Sequence, residues 1–344
     1  SLSHPRPPPF RRGVLAALAA APAALAAPAL IAPGQARAQT TPAAGPWPAG
    51  PIRIVVPFAP GGSTDAVARL ASPGLQQALG APVVVENRSG AVGSLGTDAV
   101  AKARPDGQTW LLTFDSHAVM PALIARLPFD LRGDLDPVTL IGGAPYVVAC
   151  RPDKPFTDLR SVVEAARARP DAVTFSSAGT GTLGHLLLMK LNRDAGVRLQ
   201  HTPYRGGGPA VADAVAGHVD MVIGSAALIA PQLAGGTLRA IAQFGPARLP
   251  ALPDTPTAAE NNFPGLEAVA WWAVFAPART PAPVIARFHE ALSGALREER
   301  VAKQITEQQQ ARLILGGPEV LRPFLDREIE TWGRVVRDNN IRAD

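Results

Sequence analysis

The sequence has few cysteines, no clustered histidines and almost no excess of basic residues, which excludes several classes of protein. Its 344 residues include one cysteine, Cys150, which excludes a disulfide or a cysteine-based zinc site within the chain. The six histidines show no metal-ligand spacing, and we expect neither a metal nor a cofactor. A basic surface is also missing. Four of the 33 lysines and arginines lie in residues 1–38, which hold no acid, so the remainder carries 29 bases against 28 acids. Nucleic acid is therefore not an expected partner.

Residues 1–38 are predicted to be an export signal peptide. Arg11 and Arg12 precede an alanine-rich apolar segment that prolines interrupt, and a small-residue cleavage site ends at Ala38. The prolines argue against a membrane-spanning helix. The paired arginines leave the export route open between the general secretory and the twin-arginine pathway. Residues 39–50 are predicted to form a Pro/Ala/Gly tether, and we expect a soluble chain of about 306 residues outside the cytoplasm after cleavage.

The rest of the chain repeats the order of apolar strand, glycine-rich turn and helix. This order predicts a parallel α/β sheet, and the length suggests about two domains. The runs Tyr146–Arg151 and Trp271–Phe275 are predicted to cross between two lobes. We expect lobe 1 to comprise 51–147 and 270–344 and lobe 2 to comprise 148–269, with the ligand held between them.

The stretch Ile52–Asp65 is the first of two candidate anion-binding loops. An Ile/Val-rich strand is followed by Pro60-Gly61-Gly62, and Ser63 and Thr64 then offer caps to the next helix. The unpaired N–H groups and the dipole of a helix N-terminus favour an anion. Asp65 would repel one, so we expect its carboxylate to cap backbone amides or to bind an amino group.

The second candidate loop lies in Val173–His185. Gly179, Gly181 and Gly184 spell the dinucleotide-binding pattern G-x-G-x-x-G between a strand and a helix. A Rossmann dehydrogenase needs an acid after the next strand, and the sequence has Pro203-Tyr204-Arg205 there instead. Arg205 could serve NADP, so an NADP-binding oxidoreductase remains a remote alternative.

A serine hydrolase is a further remote alternative. Ser63, Asp65 and His185 are residues of the types that a catalytic triad requires, but no G-x-S-x-G elbow accompanies them. Ser116 follows the strand Trp110–Phe114, at the end where open α/β sheets bind ligands. We expect no catalytic residues and no enzymatic activity.

Several motifs together resemble one family. PFAPGGSTD, VVENRSGAVGSLG, ARPDGQTWLL, TFSSAGTGTLGHL, PYRGGGPAVADAVAGHVD, FAPARTPAPVIARF and the ending DNNIRAD follow the order seen in the Bug (TctC-like) extracytoplasmic solute-binding proteins of tripartite tricarboxylate transporters. The resemblance covers nearly all of 51–344. It implies an α/β, two-lobed periplasmic-binding-protein fold of the flytrap, type II-like kind. It also implies a carboxylate ligand (a dicarboxylate, an amino acid or an aromatic acid) held by backbone amides and waters.

The resemblance also implies the residues of the site. The first-lobe loop falls on Phe58, Ala59, Gly61, Gly62, Ser63, Thr64 and Asp65. The second-lobe loop falls on Ser177, Ala178, Gly179, Thr180, Gly181, Thr182 and His185. Ser116 and His117 take the family's Thr/Ser-His position, and Tyr204 and Arg205 take its Tyr-Arg/Lys position.

Two features depart from the family pattern. Asp115 interrupts a run of small residues and is expected to alter the charge of the pocket. Trp271 and Trp272 are bulky for the return crossing: an indole facing the cleft would favour an aromatic ligand, and otherwise both pack in the core.

The resemblance implies a receptor that captures a carboxylate and delivers it to membrane permease subunits. We expect the receptor to be a monomer. A role as the solute-binding component of a sensory system is an open alternative.

Overall fold

The computed structural model describes residues 47–342, which belong to one compact unit. The predicted export signal, 1–38, and most of the tether, 39–46, lie outside the described residues. In chain order the elements are β1 (Ile52–Val56), α1 (Ser63–Leu79), β2 (Val83–Asn87), α2 (Ser94–Ala101), β3 (Thr109–Phe114), α3 (Ser116–Leu123), β4 (Leu135–Cys150), α4 (Leu159–Ala168), β5 (Thr174–Ser177), α5 (Leu183–Ala195), β6 (Gln200–Pro203), α6 (Gly207–Ala216), β7 (Met221–Ser225), α7 (Ala226–Ala234), β8 (Arg239–Gln243), β9 (Val269–Pro277), α8 (Ala282–Arg297), α9 (Glu299–Lys303), β10 (Arg312–Gly316) and α10 (Pro318–Asp338).

The strands form one sheet in the order β2-β1-β3-β9-β4-β7-β5-β6, with β8 and β10 also paired to β4. The sheet is mixed, so the prediction of a parallel sheet is wrong in part. The pairs of β1 with β2 and β3, and of β5 with β6 and β7, are parallel. Every pair that includes β4 or β9 is antiparallel. These two strands are the predicted crossings, and they connect the parallel groups by running against them.

The long strand β4 divides the sheet into two sections. Leu135–Pro145 pairs with β9, and part of this stretch also pairs with β10. Tyr146–Cys150 pairs with β7 and β8. We call the part containing β1, β2, β3, β9 and β10 the first section, and the part containing β5, β6, β7 and β8 the second section.

Three elements were not predicted from the sequence, and each has a local reason. Helices α3 and α7 are apolar almost all round and contain Pro121 and Pro231, so they lack the one-sided period of a surface helix. Strand β10 is short, and Leu315 within it has a φ of 53°. The sequence of Glu299–Gln309 predicts one helix, but the structure divides this stretch into α9 and a single π-helical turn, Gln304–Gln308.

The apolar residues of Pro318–Asn339 recur at helical spacing and predict an amphipathic helix packed on the first lobe, which is where α10 lies. It contacts α3 and β4, and Leu321, Leu325, Trp332 and Val336 on one side of the helix are buried. Its polar side remains in solvent. No helix within 47–342 is both long and apolar enough to cross a membrane.

Candidate ligand-binding site

Four helix N-termini converge on one small cavity between the two sheet sections. The residues that these termini contribute to its lining are Gly62, Ser63 and Thr64 of α1, Thr182 and Gly184 of α5, Gly207 of α6, and Ser225, the N-cap of α7. First-turn N–H groups have no partner within their own helix, and each N-terminus carries a partial positive charge. The arrangement therefore suits an anion.

The remaining walls of the cavity are mostly apolar. Phe58, Phe114, Tyr146, Ile223 and Leu228 contribute side chains, and Asp, Glu, Lys and Arg are absent from the lining among the residues that the structure describes. The cavity measures about 40 Å³. That space holds a carboxylate head group or a few waters, since one water needs about 10–15 Å³ by the same measure.

The carboxylate of Asp65 holds the first loop instead of facing the cavity. It is 4% exposed and accepts hydrogen bonds from the Gly61 N–H (3.1 Å), Arg69 Nε (3.0 Å) and Asn87 Nδ2 (3.0 Å). Burial by itself raises the pKa of Asp65, but these three donors outweigh it, so the pKa lies below its ordinary value of 3.8. The Asn87 amide also donates to the Phe58 carbonyl, which fixes the loop to the end of β2.

The second loop is held by its own side chains. Ser177 Oγ accepts a hydrogen bond from the Gly179 N–H (3.2 Å), and the Thr182 hydroxyl donates to the Gly179 carbonyl (2.7 Å). His185 Nδ1 accepts from the Gly181 N–H (3.0 Å). Of the predicted loop residues, Ala178 and Thr182 line the cavity.

His201 supports this loop from behind, and sequence reasoning missed it. Its ring stacks on that of His185 with 4.2 Å between centroids, and its Nε2 lies 2.7 Å from Ser177 Oγ. Burial, followed by the charge of His185, lowers the pKa of His201 to about 4. The imidazole is therefore neutral at pH 7 and acts as a hydrogen-bonding support. The alternating strand that carries it, Gln200–Pro203, gives no signal of this role.

Glycines let the two sections touch at the cavity. A Cβ placed on Gly206 would lie 3.2 Å from Ala59 Cβ, and one on Gly208 would lie 3.4 Å from the Gly61 carbonyl. A Cβ on Gly181 would lie 2.4 Å from Leu123 Cδ1. The loop before α6 thus covers the first loop, with Ala59 and Gly61 beneath it.

The other predicted residues lie farther from the cavity. Ser116 and His117 are fully buried and do not line it; the His117 ring stacks on Phe275 at 4.6 Å, and burial lowers its pKa to about 3. The Tyr204 hydroxyl donates to Asp213 (2.5 Å). Arg205 is exposed. Gly179, Thr180, Tyr204 and Arg205 line a wider groove outside the cavity, described below as the outer groove.

Both tryptophans of the return crossing are buried, and neither lines the cavity. Trp271 donates its indole N–H to Glu328 Oε2 (3.0 Å) and packs edge-on against Phe324. Trp272 packs behind Phe114, with 6.2 Å between ring centroids. The indoles therefore give no reason to expect an aromatic ligand.

Two of the candidate triad residues support their own loops: Asp65 accepts a hydrogen bond from the Gly61 N–H, and His185 accepts one from the Gly181 N–H. No group of three His, Cys, Asp or Glu side chains within 47–342 is placed to hold a metal ion.

Asp115, the departure from the family pattern that was expected to alter the charge of the pocket, does not line the cavity. It is 1% exposed and accepts a hydrogen bond from the Tyr146 hydroxyl (2.7 Å). Burial raises the pKa of Asp115 well above 3.8; the hydrogen bond from Tyr146 opposes that rise, and the nearby charge of Glu328 adds to it. The Tyr146 side chain therefore lines the cavity, and the Asp115 carboxyl group hydrogen-bonded to it ionises less readily than an ordinary aspartate.

We expect Asp115→Asn to stabilise the protein at alkaline pH. An acid with a raised folded-state pKa contributes stability that is complete below its unfolded pKa and is lost as pH rises through the folded pKa. Asparagine keeps the acceptor for Tyr146 and removes this loss. Melting curves should coincide at pH 4, and at pH 8 the variant should melt at least about 2 °C higher, the shift that about 1 kcal/mol produces at this size. An equal difference at both pH values would contradict the assignment.

Comparison with known proteins identifies the family. A sequence profile described as "Tripartite tricarboxylate transporter family receptor", TctC, matches residues 67–341. Protein BugT of Bordetella pertussis is 37% identical over 294 residues, which are 85% of this chain and 90% of BugT.

Solved structures agree with the fold. The periplasmic binding protein BugD superposes with a TM-score of 0.82 at 30% identity, covering 86% of this chain and 100% of BugD. MatC from Rhodopseudomonas palustris with bound malate gives a TM-score of 0.80 at 33% identity, covering 84% of this chain and 100% of MatC. An R. palustris protein with adipate gives a TM-score of 0.82 at 28% identity, covering 86% of this chain and 100% of that protein.

These matches confirm the two-lobed binding-protein fold and the resemblance that the sequence motifs carried. The relatives are binding proteins by family and by structure. The chain belongs to the TctC family of tripartite tricarboxylate transporter receptors, the periplasmic solute-binding proteins that include the Bug proteins.

Proposed function

We propose that the protein captures a small organic carboxylate in the cavity between the two sheet sections and delivers it to the permease of a tripartite tricarboxylate-type transporter. The observation that carries the proposal is the convergence of four helix N-termini on one cavity with mostly apolar walls. The malate and adipate bound to two structural neighbours support the class of ligand.

Backbone amides are the main ligand-binding groups in this proposal. Hydrogen bonds to a charged group contribute about 1.5–3 kcal/mol each, and a few of them support micromolar affinity, about −8 kcal/mol. Gly62, Ser63 and Thr64 would hold the carboxylate from one side, and Ala178 and Thr182 from the other. The small cavity takes the head group, and the rest of the solute extends toward the outer groove.

The two sections act as lobes in the proposed mechanism. Lobe 1 comprises 51–147 and 270–344, lobe 2 comprises 148–269, and β4 and β9 form the crossings. Opening separates Ala59 and Gly61 from Gly206 and Gly208 and admits the solute. Closure brings the second loop onto it, and the added contacts favour the closed state. We further propose that the exported chain acts in the periplasm as a monomer.

A thermal-shift screen of the exported form against organic acids tests the function. Malate, adipate, other dicarboxylates, amino acids and aromatic acids are supplied at a large excess. An acid present at 100 times its Kd should stabilise the fold by about 2.7 kcal/mol and be recovered unchanged. Uncharged methyl esters of the same acids are the control and should give no shift. Turnover of an acid, or equal shifts with acid and ester, would contradict the proposal.

A further inference from the structure

The outer groove is a large surface feature outside the proposed carboxylate site. It encloses about 1380 Å³ against about 40 Å³ for the cavity. Its walls come from both sections and from the end of α10. Four exposed arginines line it: Arg126, Arg205, Arg337 and Arg342. No aspartate or glutamate occurs among the lining residues of the described chain.

The four groove arginines have no acidic partner in the described part of the chain. Within 47–342, no ion pair or side-chain hydrogen bond to an acid involves any of them. By contrast Arg69 pairs with Asp65, and both Arg53 and Arg88 pair with Glu86, beside the first loop. Each guanidinium therefore adds net positive charge to the groove, since no carboxylate among the described residues is in contact with it.

The groove adjoins the cavity. Phe58, Ala178 and Thr182 line both spaces, so the groove is the outer side of the wall that these residues form. None of the four arginines lines the cavity itself. A solute approaching from this side therefore passes the arginines before it reaches the helix N-termini.

We propose that the outer groove is an anion vestibule, in which the four arginines concentrate anionic solutes at the mouth of the cavity and speed their capture without holding the bound solute. A cleft lined by charge of one sign focuses the field and raises association rates by about 10- to 1,000-fold. The chemical class recognised is any small organic anion. The arrival of a carboxylate at the cavity rests on the proposed function, whereas anion binding in the groove does not.

The first experiment measures anion binding in the groove without any carboxylate ligand. The probe is pyranine, a fluorescent trisulfonate, titrated by anisotropy at low salt. We expect Arg126→Gln/Arg337→Gln to weaken pyranine binding about tenfold, because the variant loses two of the positive charges that attract the trisulfonate. The matched control is Arg300→Gln, an exposed arginine of α9 that does not line the groove. Equal affinities for the wild type and the double variant would overturn the proposal.

The second experiment measures capture by stopped-flow tryptophan fluorescence, with malate or the acid that gives the largest thermal shift. The double variant should lose about tenfold in association rate at low ionic strength, with an unchanged dissociation rate. The difference should vanish at about 1 M salt, where the Debye length is about 3 Å. A faster dissociation at an unchanged association rate would mean that the arginines hold the bound solute, which also overturns the vestibule.

The two experiments separate this proposal from the proposed function. Arginine-dependent binding of pyranine together with a screen in which no acid binds would leave the vestibule standing and remove carboxylate capture. If an acid binds but the arginine substitutions change neither its association rate nor the affinity for pyranine, the proposed receptor function stands and the anion vestibule is refuted.

Discussion

Gly179→Ala should abolish carboxylate binding, with an expected loss of at least about 100-fold in affinity. Gly179 has a φ of 138°, which an L side chain rarely adopts, and a Cβ there would lie 3.0 Å from the backbone oxygen of Tyr204. A backbone atom cannot rotate away as a side-chain end can. The peptide would therefore turn and break the bonds that its N–H and carbonyl make with Ser177 and Thr182. The strain should also lower the free energy of unfolding by about 1–3 kcal/mol.

A matched control separates the loss of binding from the loss of stability. Gly196, at the other end of α5, also has a positive φ, 62°, but a Cβ there would meet no atom within 4 Å. Gly196→Ala should cost about 1 kcal/mol of stability and leave the affinity unchanged. Isothermal calorimetry with the acid from the screen gives the affinities, and urea unfolding gives the stabilities. If Gly179→Ala binds as tightly as Gly196→Ala, the second loop does not form the site.

Asp65→Ala should cost about 3 kcal/mol or more and weaken carboxylate binding, although Asp65 does not line the cavity. The substitution removes three hydrogen bonds from a buried carboxylate and leaves the Gly61 N–H and the Asn87 amide without their acceptor. Bonds to charged groups contribute about 1.5–3 kcal/mol each, and unsatisfied donors add a penalty. The first loop would lose the bonds that present Gly62, Ser63 and Thr64 to the cavity.

The pH dependence gives this prediction a second measurement. The pKa of Asp65 lies below its unfolded value, so its contribution is present above about pH 4 and is lost as pH falls through the folded pKa. The stability difference between the wild type and Asp65→Ala should therefore narrow at pH 3. The control is Asp98→Ala, which removes a carboxylate from an equivalent i,i+4 pair with Lys102 on α2. It should cost less than about 0.5 kcal/mol. A similar cost for both variants would show that Asp65 is an ordinary surface pair.

The sequence was most informative where chemistry is local. A strand, a glycine turn and a helix N-terminus adjoin one another in the chain, so the pattern alone predicted the loops within Ile52–Asp65 and Val173–His185. The family resemblance then implied the individual residues, among them Gly62, Ser63, Thr64, Ala178 and Thr182. The two loops line one cavity only because the two sheet sections pack against each other. The family resemblance, not the local pattern, predicted that packing.

The residues that sequence reasoning missed act over long separations. Tyr146 reaches the cavity from the crossing strand and bonds to Asp115, 31 residues earlier. Asn87 locks the first loop from the end of β2, and His201 supports the second loop from the neighbouring strand. Such partners depend on strand register and on sheet order, which no local pattern records. Ser116 and His117 illustrate the reverse case: their position at a strand end suggested a site, but the turn into α3 buries them.

The position of β9 determines when the protein can fold. This strand lies between β3 and β4 in the sheet, yet β3 ends at Phe114 and β9 begins at Val269. Until Pro277 has been synthesised, β3 has an unpaired edge and the first section lacks its middle strand. A ribosome-bound chain or a fragment ending before 269 therefore cannot complete this core, and the apolar edge stays open to chaperones and proteases. Contacts of such long separation also close slowly, so the protein should fold late and as a whole.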